Sequence, residues 1–154
     1  MEQRLEAVRA ELETHGAASA LAILNAGVPH RFTGAYRLRD GKLLNVELVD
    51  KQGLAAPADL LEVPLNDSFC QFVLRDGGFQ SANTSEDQRL DGHPYQGVVL
   101  SYSGVPIAGS TGQLWGTLCH FDLQGWHLGD DEYALLQRVA RMLAPHYAAQ
   151  MPAV

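Results

Sequence analysis

The sequence predicts an α+β domain, and three observations carry the prediction. Short segments of alternating or β-branched apolar residues occur in hairpin-like pairs, so most of the sheet is antiparallel. Helical stripes stand at both ends of the chain and must cover one sheet face. The 154 residues are 46% hydrophobic and 19% charged, enough for one core and too apolar for a disordered chain. One domain over residues 1–154 is therefore expected. The net charge of -7 argues against nucleic acid, which wants a basic stripe. No run of 18 apolar residues is present, so no membrane span is expected. The charged start, Met1 to Glu6, does not read as a secretory signal. With two isolated cysteines, Cys70 and Cys119, reduced thiols and a cytoplasmic location are the default, although sequence leaves a disulfide between them open.

Residues 2–14 form the first expected helix, with Leu5, Val8 and Leu12 on one side. Gly16 stops it. Residues 17–25 are a second, Ala- and Leu-rich helix, ended by Ala26-Gly27 and Pro29. A hairpin follows. Phe32, Gly34, Tyr36 and Leu38 alternate, Asp40-Gly41 turns the chain, and Leu44, Val46 and Leu48 alternate on the return. Residues 51–64, with Gly53, Pro57 and Pro64, read as a connection holding a helical turn at 58–61. Asp67 or Ser68 caps a short helix at 69–75, which Gly77-Gly78 ends. Residues 79–84 form a strand and 85–97 a long polar loop, the kind that carries function. Strands at 98–107 and 113–122 are joined by a loose turn. The last helix, 130–147, opens on Asp130, Asp131 and Glu132, which suit its positive end. Its stripe is Leu135, Leu136, Val139, Met142 and Leu143, and Pro145 should kink or fray its end.

The middle of the chain resembles a known family. Ser68-Phe69-Cys70, Ser85-Glu86-Asp87-Gln88-Arg89, His93-Pro94, Ser101-Tyr102-Ser103-Gly104-Val105-Pro106-Ile107 and Leu114-Trp115-Gly116-Thr117-Leu118-Cys119-His120-Phe121-Asp122 together look like a GAF domain. The resemblance implies a PAS-like central antiparallel sheet of about six strands with terminal helices on one face. The other face would carry a small-molecule pocket roofed by residues 51–97. It also implies frequent pairing through the terminal helices. Fold analogy does not choose among the ligands of such a family.

Residues narrow the choice. The spaced signature of cyclic-nucleotide GAF domains is not found here. Cys119-His120 imitates a bilin attachment pair but falls inside a central strand, where a small buried hydrophobe is the simpler reading. The six histidines form no helical metal-binding spacing, so neither haem, bilin nor metal is expected and no cofactor is required. One GAF branch reduces free methionine-R-sulfoxide. Phe32-Thr33-Gly34-Ala35-Tyr36 resembles its aromatic first strand, and Cys70 resembles one of its cysteines. Its attacking cysteine lies in a Gly-His-x-x-Cys stretch. Here Gly92-His93-Pro94-Tyr95-Gln96 ends on an amide, which cannot attack, so the expectation is that the chain is not an enzyme.

The resulting expectation is a sensor that binds a small polar or anionic metabolite, signals through a separate output protein and pairs as a homodimer. A diverged sulfoxide reductase and a dimer module with a closed pocket are the rivals. Phe32 and Tyr36 are candidate apolar walls. Asn83, Asp87, Arg89 and His93 are candidate polar groups of the roof, where an Asp87–Arg89 pair that merely holds the loop is the plainer alternative. Cys70, Tyr102 and Thr117 complete the candidate ligand site. With Arg89 and His93 set against one Asp87, the site should prefer an anion or zwitterion to a cation. Which sheet face meets the pocket is not decided by alternation alone.

Overall fold

The computed structural model describes residues 1–54 and 58–151. Helices α1 (Glu2–His15) and α2 (Ala17–Ala26) are separated by Gly16 alone, whose φ of 99° reverses the chain at once. Strands β1 (Phe32–Arg39) and β2 (Lys42–Asp50) form the first hairpin. Asp40 and Gly41 both have positive φ, 53° and 74°, as a two-residue turn of matching twist demands. The helical turn α3 (Ala58–Leu61) is where the sequence puts it, while Pro57 lies outside the described residues. It leads into β3 (Glu62–Pro64), an edge strand that periodicity does not reveal because only three residues pair. An edge position tolerates a proline.

Helix α4 (Cys70–Asp76) begins after Ser68, whose Oγ accepts the Gln71 amide at 3.2 Å. Gly77, left-handed at φ 81°, ends it. Strand β4 is only Phe79–Ser81, and the expected loop carries two short 3-10 turns. Strands β5 (Ser101–Ala108) and β6 (Leu114–Asp122) then precede α5 (Asp130–His146). Pro145 sits in the last turn of α5 without shortening it. There the proline costs a single carbonyl bond near an end where carbonyls lack partners anyway.

All pairings are antiparallel, and the strand order is β3-β2-β1-β6-β5-β4. The architecture is the expected α+β one. On one face α1, α2 and α5 bury Leu21, Leu24, Val105, Leu118, Leu136 and Val139 among others. On the other, segments 58–99 form a cap over Phe32, Tyr36, Tyr102, Cys119 and Phe121.

Alternation fails at two places. In β2 the register against β1 slips at Val46, between Asn45 and Glu47, so Leu43 rather than Leu44 is buried and Val46 is exposed. The second place is in β6. Trp115 does not share the face of Thr117, Cys119 and Phe121. The β5–β6 register slips between Ile107 and Ala108, and Trp115 turns to the helix side. There it stacks on Tyr147 at 3.9 Å between ring centres, and its indole donates to Gln150 Oε1 at 2.9 Å. A bulge reverses the facing of every residue beyond it.

A polar cluster is buried at the helix-side end of the sheet. The Lys51 ammonium donates to Asn25 Oδ1, Asn25 O and His30 O at 2.7, 2.8 and 2.7 Å. Asn25 in turn donates to Thr33 Oγ1 at 2.7 Å, and Thr33 Oγ1 meets His120 Nδ1 at 2.6 Å. With Thr33 accepting from Asn25, its own proton is available to His120 Nδ1, which leaves the proton of a neutral ring on Nε2. His30 stacks beside His120 at 5.7 Å.

Candidate functional site

Between the sheet and the cap lies a chamber of about 60 Å³, partly open to solvent, with the exposed Asp59 on its lining. The sheet supplies Tyr36, Leu43, Val63, Tyr102, Cys119 and Phe121, and the cap supplies Asp59, Leu60, Ser68, Phe69, Cys70, Tyr95 and Val99. The register explains the space. Gly34, Cys119 and Gly104 stand side by side across β1, β6 and β5, so the chamber floor has two missing side chains and one small one. A Cβ on Gly104 would lie 2.5 Å from the Tyr102 hydroxyl, and one on Gly34 would lie 3.0 Å from the Tyr36 ring. Glycine is what lets both phenols lie along the floor.

The polar groups of the chamber are few and mostly engaged. Tyr36 Oη donates to the Leu60 carbonyl at 2.7 Å and so ties α3 to the sheet. Cys70 Sγ lies 3.2 Å from both Tyr102 Oη and Thr117 Oγ1. Cys119 Sγ lies 3.7 Å from the Gly34 carbonyl and also faces the Tyr102 hydroxyl. Burial pushes the Cys70 thiol up, and contacts with Thr117 and Tyr102 only partly offset it. Burial pushes Cys119, Tyr36 and Tyr102 well up too. The thiols and phenols therefore keep their protons at neutral pH, and the charged side chain on the lining is that of Asp59.

Tyr36, Cys70 and Tyr102 of the expected site line this chamber. Phe32 and Thr117 stand just behind the wall, Phe32 stacked on Phe121 at 4.8 Å and Thr117 against Cys70. The polar residues of the roof do not converge with them. Asn83 Oδ1 accepts from Ser85 N and Oγ at 3.1 and 2.6 Å and caps its own turn. Asp87 receives the Arg89 guanidinium at 2.6 and 2.9 Å, while Arg89 also donates to Gln80 O and lies 4.6 Å over the Phe79 ring. That pairing holds the Asp87 carboxyl down to about 2. His93 Nε2 donates to Ser68 O at 3.1 Å, its Nδ1 accepts the Tyr95 amide at 3.1 Å, and its ring packs on Phe69 at 4.5 Å. Each is spent within the cap and on its neighbours: Asn83 on its own turn, Arg89 on Asp87 and the Gln80 carbonyl, and His93 on the Ser68 carbonyl and the Tyr95 amide. Gln96 does the same, accepting from Gly92 N and donating to Asp91.

Leu43, Phe69, Tyr95, Val99, Cys119 and Phe121 are walls that sequence reasoning did not select. Cys119 and Phe121 were legible in part. They alternate with Thr117, and only the missing register hid that Tyr102 pairs with Phe121.

A family model described as GAF domain matches residues 1–146. No curated protein matches the sequence. Among solved structures, a type II free methionine-R-sulfoxide reductase from Thermoplasma acidophilum is 19% identical, with a TM-score of 0.69 over 98% of this chain and 99% of that one. The GAF domain of a phosphoenolpyruvate-protein phosphotransferase from Coxiella burnetii is 18% identical, with a TM-score of 0.75 over 97% and 95%. A free methionine-R-sulfoxide reductase from Neisseria meningitidis, solved with its substrate, is 16% identical, with a TM-score of 0.75 over 96% and 88%. At these identities the likeness is one of fold. It corrects the expectation that the chain is not an enzyme. Reductases and a domain of another kind share this fold along nearly its whole length, so an amide at Gln96 does not by itself remove the chain from the enzymes.

Proposed function

We propose that this chain, which belongs to the GAF domain family, binds a small, largely apolar molecule in the chamber between the sheet and the cap. The observation that carries the reading is the chamber itself. Aromatic side chains line it, a few hydroxyl and thiol groups border it, and glycines keep its floor low; the mixture of apolar walls and few polar groups is that of small-molecule sites, at a volume that suits only a small fragment. Binding at this site is tested by a thermal-shift screen of small fragments on the wild type and on Val99→Phe, which fills the space. A fragment at a hundred times its dissociation constant adds about 2.7 kcal/mol of stability to the wild type and none to the filled variant. Equal shifts in both, or no shift with any fragment, overturn the reading. Pairing of two copies belongs to the same proposal. The α1–α5 groove, with Leu5 and Met142 in its floor and Arg9, Arg138 and Arg141 around it, is the surface for it. A monomer by light scattering at micromolar concentration counts against it.

The two thiols that line the chamber, Cys70 from the cap and Cys119 from the sheet, favour a second reading, sulfoxide reduction. One thiol, as its thiolate, attacks the sulfoxide sulfur; the oxygen passes to that cysteine as a sulfenic acid and the sulfide leaves. The other thiol displaces water to form a disulfide, which an added dithiol reduces. Burial opposes the first step by keeping the thiolate scarce. Turnover of methionine sulfoxide with dithiothreitol, lost in Cys70→Ser, supports this reading, and absence of turnover removes it.

A further inference from the structure

We propose that the chamber selects a small organic cation, an alkylammonium of a few carbon atoms, over an anion of the same size. The proposal rests on the reading of the chamber as a ligand site. Its first ground is where the cations have gone. No Lys, Arg or His is among the residues lining the chamber. Arg89 is held by Asp87 and the Gln80 carbonyl, and His93 uses one ring nitrogen as donor and the other as acceptor in the loop. An anion entering the chamber therefore leaves water and gains no charge partner, which is costly.

The second ground is what the walls offer. Tyr36, Phe69, Tyr95, Tyr102 and Phe121 surround the space. Aromatic faces are the negative ends of ring quadrupoles and attract a desolvated ammonium. The third is the border. Asp59 lies on the lining, and no ion pair engages it or Asp67 among the described residues. Both carboxylates act with burial to push the Tyr95 phenol up, so their field reaches the wall. A net charge of -7 on the whole chain acts in the same sense from a distance. The size follows from the volume. One water needs roughly 10–15 Å³ by this measure, so about 60 Å³ admits a group of a few heavy atoms.

The test uses three probes of four heavy atoms each: isopropylammonium, 2-propanol and acetate, at constant ionic strength. Binding is followed by amide chemical-shift titration of the whole chain. The expected order is isopropylammonium tightest and acetate weakest, with shifts at Tyr102, Cys119 and Phe121. Asp59→Asn, an exposed change, should weaken isopropylammonium roughly two- to fivefold, the range for one partly solvated charge pair, and leave 2-propanol unmoved. If 2-propanol or acetate binds as tightly as the ammonium, cation selection is overturned while the chamber stands as a ligand site. If Asp59→Asn leaves the ammonium unchanged, the part assigned to that carboxylate is overturned. If none of the three shifts chamber residues, cation selection and the ligand-site reading both fail.

Discussion

At the scale of single residues, side chains that are absent matter as much as those present. Gly116 lies where β1 and β6 approach, and a Cβ there would sit 1.8 Å from the Tyr36 carbonyl oxygen. Backbone atoms cannot step aside as a flexible side chain can. Gly116→Ala should therefore cost about 2–4 kcal/mol, within the range of severe core overpacking and strain, read from urea unfolding. Asn25 makes a different demand. Its amide joins the Lys51 ammonium to Thr33 and the His30 carbonyl. Asn25→Ala leaves the buried Thr33 hydroxyl and His30 carbonyl short of a donor and should cost about 1–3 kcal/mol. An unfolding midpoint equal to wild type would show that water replaces the amide without loss.

Whole elements are held by a few contacts outside their own hydrogen bonds. The end of α5 is fixed to the sheet by the Tyr147–Trp115 stack. The Tyr147 hydroxyl is buried with no partner among the described residues, and burial pushes its phenol up to about 12. The ring rather than the oxygen does the holding. Tyr147→Ala should cost about 3 kcal/mol or more, whereas Tyr147→Phe should be neutral within about 0.5 kcal/mol or slightly stabilising. Calorimetry of the two variants separates these contributions, and equal losses would mean that the hydroxyl has a partner in solution. The roof loop shows the same economy. Its polar side chains satisfy backbone groups that a segment without a ladder leaves exposed. They are therefore not available to a ligand.

The whole molecule should be sensitive to mild acid, because burial pulls His30 down to about 4 and His120 to about 3 from an ordinary value of 6.5. Asp122 opposes the shift at His30. Lys51 reinforces it at both rings, and Arg4 does so at His120. Both rings are neutral in the fold. Between pH 6.5 and about 4 the unfolded chain takes up protons that the folded chain refuses, so stability is full above this window and falls as pH drops through it. The urea midpoint should decline from pH 7 to pH 5, and His30→Leu should flatten that decline. An unchanged slope in the variant would assign the loss to other groups. The Asp87–Arg89 pair adds a lower window, in which stability is lost as pH falls from 3.8 toward about 2.

Local chemistry alone determined most of the architecture. The 3.6-residue stripes, the alternation of β1, the Asp40-Gly41 turn and the Gly77 stop depend on residues close in sequence, and the structure reproduces them. The alternation expected of Leu44, Val46 and Leu48 in β2 is not reproduced, because a bulge at Val46 exposes that residue and buries Leu43 instead of Leu44. Membership of the GAF family was likewise legible from motifs spread over residues 68–122. The chamber was not, because its walls come from strands whose register is set between distant segments. One slip at Trp115 reverses a face, and one row of Gly34, Cys119 and Gly104 opens a floor, and neither follows from spacing along the chain. Charge was misplaced for a related reason. Sequence counts Arg89 and His93 as available, but burial of the loop backbone claims their donors first, and only tertiary packing decides which polar groups are left facing the space.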